Sequence, residues 1–290
     1  MNDNLYLDEF DSYLKNEKHS SDNTRQSYLR DIRQFGKFSG EDLLSADTDS
    51  LSAYIAHLKN QGRSSSTVAR NVASLKAFYG FCCSCGYMEH SPATELTAEK
   101  IMQKVPEILD SWEVELLLDQ PRCTDLKGYR DKAMLELLYA TGIRVSELVS
   151  LKTTDVDLVN GTICCGGART RTIPLSSTAL KAVTEYITFI RKQMIRDLNE
   201  EVLFVNVNGA PMTRQGFWKL LKGYQQKAGI QKNITPHMLR HSFAAHLLKN
   251  GSDMKAVRKA MGNSDSSATG IYAGFLQEAR KNKEKKLHIR

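Results

Sequence analysis

The feature that most constrains this chain is a change of rhythm about a third of the way along it. Up to about residue 90, apolar side chains recur at helical spacing in one segment after another. Residues 5–16 and 22–38 read as helices, the second opening on "SDNTRQSY" with capping residues ahead of Tyr28, Ile32 and Phe35. "DTDSLSAYIAHLKNQGR" supplies a third, closed by Gly62. "SSSTVARNVASLKAFYGF" supplies a fourth, with Val68, Val72, Leu75 and Tyr79 on one face and Arg63, Arg70 and Lys76 as polar positions around it. The pattern then breaks at "SPATEL", and polar residues run on to Pro106. A helical bundle over residues 1–91, a linker over 92–106 and a second unit over 107–290 are therefore expected, and 290 residues suffice for two cores.

The second unit reads differently. "LDSWEVELLL" is a cap before an amphipathic helix, and "GYRDKAMLELLYATG" is a largely buried helix that stops at Gly142. After "DVDLVNG" the period shortens: "TICC" and "RTIPL" flank "GGAR" as a β-hairpin, and "EVLFV" is a further strand candidate. Helices return from "TRQGFWKLLKGYQQKAG" to the end. The expected fold class is mainly α with a small β-sheet, a helical bundle followed by a mixed α/β unit.

One helix in that unit poses a chemical question. In "NITPHMLRHSFAAHLLKNG", Thr235 is a good N-cap and Pro236 suits the first helical position. His237, Arg240 and His241 then fall on one side of the first turns of a helix that otherwise reads as core. Buried polar groups are costly unless something satisfies them. Contacts within the core would do so; a metal site is disfavoured by Arg240 and by the lack of an HExxH pattern. A phosphate grip is the third reading, because the helix N-terminus attracts anions and its dipole favours neutral imidazole at His237.

Charge and composition narrow the class. Lys plus Arg exceed Asp plus Glu to give a net charge of +7, which favours a polyanionic partner without requiring one. No apolar run approaches the roughly 18–20 residues of a membrane span, and "MNDNLYLDEF" lacks a basic region followed by an apolar one. Six cysteines without export signals suggest reduced thiols, so a cytoplasmic protein with no membrane partner is expected. "CCSC" with His90 lacks the spacing of a zinc pair, so no metal is expected there.

"YATGIRVSELVSL", "HMLRHSFAAHLLKNG" and "SDSSATGIYAGF" occur together and in this order. With them the chain resembles the tyrosine recombinase (phage integrase) family, most closely its Xer-type site-specific recombinases, over essentially its whole length. The resemblance implies a helical core-binding domain and a mixed catalytic domain that clamp duplex DNA. It implies catalytic roles for Arg144, His237 and Arg240, with Tyr272 as nucleophile and His241 and Glu147 in support. It also implies strand cutting and rejoining through a 3′-phosphotyrosyl bond, without metal, ATP or other cofactor. The partners it implies are double-stranded DNA with a specific core site and a homo- or hetero-tetramer on two duplexes, with a partner recombinase possible. Arg63, Arg70 and Lys76 are the DNA-binding candidates of the first unit.

Two departures from the family pattern stand out. The family's lysine, which protonates the leaving 5′-oxygen from the hairpin turn, falls on Gly166 when counted back from Pro174. Arg169 is the nearest substitute, although its high pKa suits it to stabilising charge rather than donating a proton. Lys152 is a further candidate. Asn263, in "MGNSD", stands where the family has His or Trp. Dimer resolution and mobile-element integration both fit, with the compact length leaning towards the former. A DNA-binding protein that keeps the clamp but lacks strand exchange is the alternative that Gly166 leaves open. The basic segment after Tyr272 could meet a neighbouring protomer or DNA.

Overall fold

The computed structural model describes residues 3–98, 106–166 and 170–262. The chain divides into two compact units, Met1–Met102 and Gln103–Arg290.

The first unit is built from α1 (Asp3–Asn16), α2 (Asp22–Ser39), α3 (Thr48–Asn60) and α4 (Ser65–Ser84). Each later helix starts where a short polar side chain takes up free backbone N–H groups. Ser21 accepts from Thr24, Asp47 and Ser50 form a reciprocal box, and Ser64 accepts from Thr67. The α4 face read from periodicity is inside: Val68, Val72, Leu75 and Tyr79 are buried. They pack with Phe10, Ile32, Phe35 and Phe78, and the Phe10 and Phe78 rings meet edge to face at 5.3 Å. The buried hydroxyls find partners, Tyr54 donating to Asn71 Oδ1 at 3.0 Å and Tyr79 to the Leu43 carbonyl at 2.9 Å. Ala93 and Leu96, within the stretch expected as linker, are buried in this same core, so the chain keeps contact with the first unit at least that far.

The second unit contains α5 (Ser111–Leu118), α6 (Leu126–Thr141), α7 (Val145–Ser150), β1 (Val156–Asp157), β2 (Thr162–Cys165) and β3 (Arg171–Pro174). There follow α8 (Ser177–Glu185), a π turn (Tyr186–Ile190), α9 (Arg191–Met194), α10 (Arg214–Lys227), α11 (Pro236–Lys249) and α12 (Met254–Met261). The three strands form an antiparallel sheet in the order β1-β2-β3, with Ile163 opposite Ile173 and Cys165 opposite Arg171. The helix α6 is buried on most sides through Met134, Leu135, Leu137 and Leu138 and forms the middle of the core.

"EVLFV" is not a strand. Val202 makes a single bridge to Lys152 and Val205 another to Pro211, so the segment is shared between two neighbours and builds no ladder. Arg191 explains why: its buried guanidinium takes the carbonyls of Glu200, Val202 and Leu203, which a strand partner would otherwise need. No helix of the described residues is long and apolar enough to cross a membrane.

Candidate active site

The site begins where α6 ends. Gly142 closes that helix in the left-handed region at φ +59°, and its N–H returns to the Leu138 carbonyl. Two residues on, Arg144 is the N-cap of α7. Its backbone N–H donates to Glu147 Oε2 at 2.7 Å, and its guanidinium stands 3.7 Å from Glu147 Oε1. Its side chain is 44% exposed, so a charged group on a rigid turn faces outwards.

The helix α11 starts as its sequence requires, with Thr235 accepting from the Met238 N–H and Pro236 in the first turn. The three polar residues read as one face occupy three environments. His237 is exposed, His241 half-buried and Arg240 buried. Burial pushes the pKa of His241 down, helped by the neighbouring His237 and Arg240, so this imidazole favours the neutral form. Arg240 donates through Nη1 to the Gly142 carbonyl and through Nη2 to the Met261 carbonyl at 2.5 Å. One guanidinium thus joins the end of α6, the start of α11 and the end of α12. Ser242 locks the same helix by donating to the Met238 carbonyl at 2.8 Å and accepting the Leu109 N–H at 2.9 Å.

The hairpin contributes a residue that counting along the sequence passes over. Arg171, at the start of β3, donates from Nη1 and Nη2 to the two oxygens of Glu147 at 2.9 and 3.1 Å, and from Nε to the Ala260 carbonyl at 3.1 Å. Burial alone would raise the pKa of Glu147. The Arg171 hydrogen bonds and the Arg144 N–H outweigh it and hold the carboxyl below its ordinary range. The signal of Arg171 in the sequence was its place at the head of "RTIPL", the second strand of the expected hairpin. Gly166 has φ +119°, a backbone geometry that a side chain rarely adopts. Lys152 lines a cleft of about 320 Å³ together with Glu147, Cys165 and Gly166, and its ammonium is paired with Glu201 at 2.7 Å. Arg169, Asn263 and Tyr272 lie outside the described residues, as does the basic segment after Tyr272.

In the first unit Arg63 and Lys76 are exposed. Arg70 differs: its Nη1 meets Asp31 Oδ2 at 2.5 Å, and this carboxylate on α2 is only 1% exposed. Ser74 donates to the same oxygen at 3.1 Å. Arg70 therefore has a structural duty that charge patterning along α4 did not reveal. Among the described residues no group of His, Cys, Asp and Glu is arranged to hold a metal ion. A cleft of about 820 Å³ between the start of α6 and α10 contains none of these residues but is edged by Arg122, Lys127, Lys219 and Lys227.

Residues 107–278 match the phage integrase family model and residues 7–85 the model of the phage integrase N-terminal SAM-like domain. The tyrosine recombinase XerD of Oceanobacillus iheyensis is 39% identical over 292 residues, covering 98% of each chain. That of Staphylococcus epidermidis is 37% identical over 275 residues, covering 93% of each. The structure of the XerH site-specific recombinase bound to palindromic difH substrate, a post-cleavage complex, has a TM-score of 0.74. At 21% identity, covering 98% of this chain and 85% of that one, it is a likeness of fold.

Proposed function

The chain belongs to the phage integrase family and is a site-specific DNA recombinase of the tyrosine class, and we propose that Arg144, His237 and Arg240 hold its scissile phosphate for attack by Tyr272. The observation that carries this reading is the Arg240 guanidinium. By gripping Gly142 and Met261 it gathers the segment leading to Arg144, the histidine-bearing turn and the approach to Asn263 at one point. Guanidiniums at such a point suit the non-bridging oxygens of a phosphodiester and the charge that grows on them in the transition state.

The Tyr272 oxygen forms a bond to phosphorus as the bond to the 5′-oxygen breaks. This leaves a 3′-phosphotyrosyl link and a free 5′-hydroxyl. His237, exposed on the first turn, takes the tyrosyl proton, while neutral His241 supports it. Asn263 donates to a phosphate oxygen, and Arg169 stabilises the departing 5′-oxygen, which takes its proton from water because arginine is a poor acid. A 5′-hydroxyl from the second duplex then reverses the step. The link conserves the energy of the broken ester, so neither ATP nor another cofactor enters.

In this reading residues 1–91 form the core-binding domain and 107–290 the catalytic domain, with Arg63 and Lys76 touching phosphates. The working assembly is a tetramer on two duplexes in the cytoplasm, of one recombinase or of two. The test is a nicked suicide duplex carrying a Xer-type core site, chosen by native gel shift and run on SDS gels with wild type and Tyr272→Phe. An SDS-resistant adduct in wild type alone is the expected result. A shift without any adduct would instead leave a DNA binder that does not cut.

A further inference from the structure

We infer that Arg171 is a positioning residue for this reaction, engaging the Glu147 carboxylate so that it does not draw in the Arg144 guanidinium, and fixing the end of α12, from which the chain runs on to Asn263 and Tyr272. The inference rests on the site reading above and gives a role to a residue that reading does not use.

Two arginines approach one carboxylate. Arg171 has the shorter, two-pronged share at 2.9 and 3.1 Å, and Arg144 stands at 3.7 Å. The Arg171 and Glu147 side chains are only 12% and 14% exposed, so their attraction is weakly screened by solvent. A flat fork matched to a carboxylate sets direction as well as charge, which a lysine ammonium cannot do. Without this partner, the ionised Glu147 has Arg144 as its nearest cation and should draw that guanidinium inwards, away from a phosphate.

The third donor of Arg171 reaches the other half of the site. Its Nε binds the Ala260 carbonyl, beside the Met261 carbonyl that Arg240 holds. Gly262 ends α12 at φ +63°, and a Cβ built there would lie 2.6 Å from the Arg171 guanidinium carbon. The guanidinium therefore lies flat against the glycine that precedes Asn263. A hairpin strand, the turn bearing Arg144 and the exit of α12 are keyed together through one side chain. With three of its donors on Glu147 and Ala260, Arg171 is built to orient other groups rather than to reach substrate.

Full-length wild type, Arg171→Gln, Arg171→Lys, Glu147→Gln and Arg171→Gln/Glu147→Gln are to be compared on the suicide duplex. Binding is read on native gels, single-turnover adduct formation on SDS gels, and melting by calorimetry. Displacement of a reacting group by about 1 Å costs about 100-fold in rate, and that loss is expected for both Arg171 variants at DNA affinity within threefold of wild type. Adding Glu147→Gln removes the charge that pulls on Arg144 while keeping an oxygen for its N–H. The double variant should therefore recover at least tenfold over Arg171→Gln, which a purely structural role for Arg171 would not produce. Cleavage by Arg171→Gln within threefold of wild type would overturn the inference and leave the site reading intact. A loss that Glu147→Gln fails to relieve, with a fall in melting temperature, would make Arg171 structural only. An adduct surviving in Tyr272→Phe would overturn the site reading and this inference with it.

Discussion

Gly142→Ala should destabilise the second unit by an amount that follows from two separate contacts. The residue sits at φ +59°, in the left-handed region, where a side chain costs about 1–2 kcal/mol. Its Cβ would also stand 2.3 Å from Phe243 Cδ1 and 2.7 Å from Cε1, inside any real contact distance. Phe243 is 8% exposed and packs with Ala244, Leu248 and Val257, so the ring cannot simply swing into solvent. Overpacking of this kind costs about 1–3 kcal/mol. The sum, about 2–5 kcal/mol, corresponds to a fall of about 5–15 °C for a unit of this size. Calorimetry of the full chain should show the transition of the second unit moving down while that of the first stays in place. Phe243→Leu added to Gly142→Ala should return the packing share but not the backbone share. A Gly142→Ala protein melting within about 2 °C of wild type would refute the reasoning, because neither the close approach nor the left-handed turn could then be as described.

Further expectations concern the site and the first unit. Arg240→Lys cannot reach the carbonyls of both Gly142 and Met261, and removal of an oriented donor of this kind costs about 100–1000-fold in rate; adduct formation should fall by that much while gel shifts persist. Arg169→Lys should raise single-turnover cleavage, whereas Gly166→Lys should do less because φ +119° resists a side chain; no gain from Arg169→Lys would dispose of the idea that the missing acid limits the rate. Arg70→Gln should lower the stability of the first unit by roughly 1–3 kcal/mol, leaving Asp31 poorly paired. Arg63→Gln and Lys76→Gln should each reduce the slope of log affinity against log salt by about 0.9 with unchanged melting. Glu147 is held below its ordinary pKa of 4.5. Its contribution to stability is therefore complete above that value and disappears as pH falls through the lower folded value, and acid unfolding of Glu147→Gln should lack this component.

What the sequence reveals here is mostly local. Thr235 and Pro236 announce α11, Gly142 announces the end of α6, and alternation around "GGAR" announces the hairpin, because each signal lies within a few residues of the structure it directs. What it hides is long-range pairing. Arg70 looks like a surface cation until Asp31, 39 residues earlier, folds against it. Arg171 looks like a spare strand residue until Glu147 and Ala260, 24 and 89 positions away, become its partners. "EVLFV" has the composition of a strand, but Arg191 takes carbonyls that a ladder would need. The polar side of α11 was legible as a group, yet the burial of Arg240 and the exposure of His237 depend on neighbours that no periodicity contains.

The three-way junction at Arg240 also bears on when the protein can do harm. Its two carbonyl partners lie 98 residues before it and 21 after it. A chain still emerging from the ribosome, or one cut short before α12, lacks one side of that junction, and the Arg240 guanidinium has only one of its two carbonyl anchors. On the proposed reading of the site, an enzyme able to cut DNA would stay inert by its own topology until synthesis has passed these segments. Assembly of the site would then work as a safety catch, released only by a finished fold.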